Sequence, residues 1–184
     1  MEHPRTPSST VSAPIERVLD EAERVAVATD ESDGALARVR SIAVDLAERH
    51  HFDVVLYDRS EERWTDHPHP KGPVTAPDLE GSERDHLVAQ LREFEETGVG
   101  ATAWLATVPA LTAMLDVLQE LEVDAVLLPE QLDEPKLMDR IQIGSSPPEM
   151  VRRVAELNLR RPPKILVVDD AGGVSVVGAE EVSS

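Results

Sequence analysis

The chain has 184 residues, no cysteine, 41% apolar but only 3% aromatic residues, and a formal net charge of -18 with an isoelectric point near 4.6. That length suits one domain with tails, and the missing cysteine excludes disulfides, thiolate nucleophiles and cysteine-based zinc sites together. The acidity argues against nucleic acid and anionic membranes as partners, since both call for a basic surface.

No stretch approaches the roughly 18 consecutive apolar residues of a membrane span. The first ten residues lack the apolar core of a signal peptide, so the expected location is cytoplasmic. Lys71, Lys136 and Lys164 are the only lysines. An acidic, lysine-poor surface suits a high-salt cytoplasm, where ions screen self-repulsion. It equally suits an acidic mesophile with a GC-rich genome, and composition does not separate the two.

Residues 1–13 are rich in Pro, Ser and Thr and read as a disordered tail. Pro14 then opens a helical run, Ile15–Glu23, with Ile15, Val18 and Leu19 on one side. Five short runs follow that are almost wholly apolar: Val25–Ala28, Val54–Tyr57, Ala101–Ala106, Ala125–Leu128 and Ile165–Val168. Such runs are what strands covered on both faces require.

Between them the apolar spacing is helical. Leu36, Val39, Ala43, Leu46 and Ala47 mark one helix, and Leu87, Leu91 and Phe94 a second. Leu111, Met114, Leu115 and Leu118 mark a third, and Met150, Val151, Val154 and Leu157 a fourth. This alternation predicts an α/β fold: a doubly wound, five-stranded parallel sheet with helices on both faces. Val174–Val177, after the Gly172-Gly173 turn, offers an extra C-terminal edge strand. The domain is expected over 14–178, with a second tail over 179–184. Residues 60–80, broken by Pro68, Pro70, Pro73 and Pro77, are expected to form an exposed, irregular insertion. The connection Pro129–Ser145 is also long for a βα loop, a length common in functional segments.

In an open α/β sheet a ligand sits beyond the carboxyl ends of the strands, where strand order reverses. Here that means the loops after the first and fourth runs. Val25–Ala28, with Thr29-Asp30-Glu31-Ser32 leading into a helix, resembles the opening strand and Asp-x-Ser turn of the universal stress protein family. Val123-Asp124-Ala125-Val126-Leu127-Leu128 resembles the strand before that family's glycine loop. Ile143-Gly144-Ser145-Ser146, a helix, and Pro163–Val168 resemble its closing segment. The resemblance spans roughly Arg24–Val168. It implies the fold shared with adenine nucleotide alpha hydrolases, a non-enzymatic stress protein, and a homodimer formed through the last-strand region, Lys164–Val168 with Val174–Val177.

Members of that family that bind ATP carry two glycines three apart, then a Gly-Ser or Gly-Thr ten residues after the second. The glycines admit the phosphates to backbone amides at a helix start. Counting back from Gly144 places Glu134 and Gln131 at the first two glycine positions. Glu134 would crowd and repel a phosphate, and Pro135 stiffens the loop and donates no amide hydrogen. The usual ATP mode is therefore not expected. Asp30, Ser32, Gly144 and Ser145 remain as the residual ligand-binding candidates, for a nucleotide or another small ligand. Ser146-Pro147-Pro148-Glu149 also fits a capping box, the preferred reading, with Glu149 in the niche a phosphate would use. Asp30 is equally a turn former.

His67 and His69, in an Asp-His-Pro-His run near Trp64, form the one pattern suggesting a metal-dependent hydrolase. No third ligand is evident, and solvated loop residues are the preferred reading. His50 and His51 suit a helix C-terminus. Asp169 and Asp170 follow a strand like the acidic opening of a receiver domain, but too little chain follows, so a strand-end turn is expected. Arg152, Arg153, Arg160 and Arg161 read as solvent-facing or helix-end charges. Ser82 and His86 lie one turn apart with no nucleophilic architecture around them, and no catalytic residue, metal or cofactor is expected.

Overall fold

The structure is a computed structural model and describes residues 12–29, 34–58, 73–81, 84–104, 117–130 and 147–177. The five apolar runs form parallel strands: β1 (Arg24–Thr29), β2 (Asp53–Asp58), β4 (Ala101–Trp104), β5 (Ala125–Pro129) and β6 (Lys164–Val168). Two short strands, β3 (Pro73–Val74) and β7 (Val174–Val177), pair antiparallel to β4 and β6. The sheet order is β3-β4-β2-β1-β5-β6-β7, mostly parallel. Seven strands replace the expected five with an optional sixth.

The helices are α1 (Ala13–Glu21), α2 (Ala35–His50), α3 (Ala76–Leu79), α4 (Asp85–Glu95) and α5 (Pro147–Glu156), with a further helical piece over 117–120. Why the strands read as unbroken apolar runs is visible in β1. Val25 and Val27 point into a cluster with Ile15 and Leu19 of α1, Val39, Ala43 and Leu46 of α2, and Leu87, Leu91 and Phe94 of α4. Ala26 and Ala28 point the other way, toward Val117, Leu118, Val126 and Val154. Side chains alternate across a strand, so a strand with two covered faces cannot alternate in polarity.

Chain direction explains which face each helix takes. From β1 the sheet grows through β2 to β4 with α2 and α4 as connections, then through β5 to β6 on the other side with α5. Reversing the direction of growth while keeping right-handed crossovers moves the helices to the opposite face. The predicted apolar positions of α2 and α4 are all buried. Of the third predicted helix only Leu118 lies within the described residues, and it is buried.

The expectation of an irregular insertion over 60–80 is corrected at its end. Pro73–Val74 adds a strand to β4, and Thr75 then caps α3, its backbone N–H and hydroxyl both donating to Asp78 Oδ2 at 2.9 and 2.7 Å. Val74, Ala76 and Leu79 are buried in the α2/α4 cluster. The edge assignment is corrected as well. Lys164–Val168 is not an edge, because it runs between β5 and β7. The predicted tails fall outside the described residues, apart from Ser12, which precedes α1, and Ala13, which is its first residue and so corrects the tail at that point.

Asp169 and Asp170 make the turn expected of them. Asp169 Oδ1 accepts the backbone N–H groups of Ala171 and Gly173 at 2.9 and 2.8 Å, and Gly172 takes the left-handed conformation at φ 84°. That turn folds β7 back against β6.

Candidate functional site

The topological switch lies between β1 and β5, the first and fourth parallel strands in the chain, as the sequence implies. Its described walls are the end of β1 at Thr29, the start of α2 at Gly34, and the end of β5 at Pro129 and Glu130. The expected ligand residues Asp30, Ser32, Gly144 and Ser145 lie outside the described residues, as do Gln131, Glu134 and Pro135, and His67 and His69. Among the described residues no group of three His, Cys, Asp or Glu side chains is placed to hold a metal ion.

Beneath this crevice lies a polar bridge that the sequence does not announce. Thr29 is fully buried, and its hydroxyl donates to Gln90 Oε1 on α4 at 2.6 Å. Arg40 of α2 reaches the same hydroxyl through Nη1 at 3.4 Å and holds Glu93 of α4 through Nε at 3.2 Å. Gln90 is 6% exposed. Four side chains therefore tie the last residue of β1 to both helices on that face, just before the chain enters the 30–33 segment. Buried polar groups are expensive unless paired, so a satisfied set of this kind fixes one packing of the elements it joins.

The other end of β5 also enters the site already anchored. The backbone N–H of Glu130 donates to the Val168 carbonyl at 3.0 Å. The first amide after β5 is thus committed to the sheet and does not face a ligand. At the carboxyl end of β4, the Trp104 indole nitrogen is buried with no hydrogen-bond partner among the described residues.

Several of the remaining groups make contacts that fasten the fold. His50 closes α2, with Nδ1 2.6 Å from Asp20 Oδ1 on α1. His51 caps the same helix in the left-handed region at φ 59°. Arg152 and Arg153 pair with Glu156, and Arg161 reaches Asp124 at 3.4 Å. Among the described residues, Asp78 is the group whose pKa clearly moves. The Thr75 backbone N–H and hydroxyl hold its carboxyl below the usual aspartate range. That cap lies far from the crevice in the fold, on the β3 side of the sheet.

Fold and site together define an open, doubly wound α/β domain with a ligand-type crevice between its first and fourth parallel strands. No protein-family model and no curated protein matches the chain. Among solved structures it is similar to universal stress proteins. One, from Burkholderia pseudomallei, is 12% identical, with 79% of this chain and 95% of that chain covered and a TM-score of 0.46. A second, described in complex with cAMP, is 15% identical over 79% and 95% at a TM-score of 0.48. A third, from Archaeoglobus fulgidus and described in complex with dAMP, is 18% identical over 79% and 95% at 0.41. The fold described above rests on the chain's own strand order and register.

Proposed function

We propose that this protein is a non-enzymatic, universal stress protein-like domain that acts by association as a homodimer and does not bind ATP in that family's usual mode. The observation that carries the second half is the path out of β5. Its first amide is bonded to Val168, and the chain that follows has Gln131, Glu134 and Pro135 where a phosphate cradle needs glycines and free amides. Association is supported by the exposed strand β7 at the end of the sheet.

Titration calorimetry with ATP, ADP and AMP tests the reading, together with sedimentation velocity. The expected results are no nucleotide heat at micromolar protein and a species of twice the chain mass. Micromolar ATP binding that Asp30→Ala abolishes would overturn it. That outcome would favour a second reading, a nucleotide or small ligand held in the β1/β5 crevice, for which the position of the topological switch speaks.

A further inference from the structure

We draw no further inference here: the strongest candidate, the buried Trp104 indole N–H at the carboxyl end of β4, has no hydrogen-bond partner, but nothing among the described residues shows a cavity beside it or a group that would accept from it.

Discussion

Asp124 holds three strands together at the amino end of the sheet, and its removal gives a sharp test of how this fold is fastened. Its Oδ2 accepts the backbone N–H groups of Glu23 and Arg24 at 2.8 and 3.1 Å, at the entry to β1. Its own N–H donates to the Arg24 carbonyl at 2.9 Å, and its carbonyl accepts from Lys164 of β6 at 3.0 Å. Asp124→Ala keeps the two main-chain bonds and deletes the carboxylate. A hydrogen bond to an ionised acceptor contributes about 1.5–3 kcal/mol where water is excluded. Water replaces most of the loss at exposed Glu23, while the half-buried Arg24 N–H is left short, so the two together come to about 2 kcal/mol. The Arg161 ion pair adds within about 0.5 kcal/mol, since that arm is 77% exposed. In urea, with a slope near 2 kcal/mol per molar, the midpoint should fall by about 1 M. Removing one of many negative charges relieves some repulsion in the folded state and works against this loss. Asp124→Asn makes the same charge change and keeps an acceptor oxygen, so the difference between the two variants isolates the hydrogen bonds. Asn should show about half the loss of Ala. Equal midpoints for the wild type and Asp124→Ala would refute the reasoning, as would an Arg161→Ala variant as damaging as Asp124→Ala.

Thr29→Val removes the buried hydroxyl shared by Gln90 and Arg40 and is expected to cost about 1–2 kcal/mol in urea unfolding. Adding Gln90→Met should then cost less than it does alone, because the two side chains share one bond. At Asp78 the sign is fixed by a depressed folded-state pKa. The stabilisation is present above the unfolded value near 3.8 and is lost as pH falls through the lower folded value. A carboxyl titration by NMR should place the Asp78 midpoint below 3.8, and Thr75→Ala should return it toward that value. Raising KCl from about 0.1 to 1 M shortens the screening length from about 10 to 3 Å, so thermal stability should rise with salt in a chain of net charge -18. A flat response would show that self-repulsion does not limit this fold.

The parallel strands were legible because burial on both faces leaves an unbroken apolar run, and the helices because Leu36, Val39, Ala43 and Leu46 repeat at helical spacing. Strand β7 was legible through its valines after two glycines. β3 and α3 were not read, because the prolines over 68–77 suggested irregular chain and hid the Thr75-x-x-Asp78 capping pattern beside them. Thr29, Gln90 and Arg40 lay beyond reach for another reason. Thr29 and Gln90 are 61 positions apart, and nothing in either neighbourhood marks the other. Asp124 entered the sequence reading only as part of a strand resembling a known family, and its role depends on amides contributed from 100 and 101 positions away.

These anchors bear on what holds the strands beside the crevice in place. β1 is pinned at its amino end by Asp124 and at its carboxyl end by the Thr29 bridge to α2 and α4. β5 is fixed past its last residue by the bond from Glu130 to Val168. The strands flanking the crevice are therefore held by interactions that do not pass through the segments 30–33 and 131–146. The frame beside the crevice is thus fastened by its own set of bonds, as expected of a fold that carries sites of different chemistry on one scaffold.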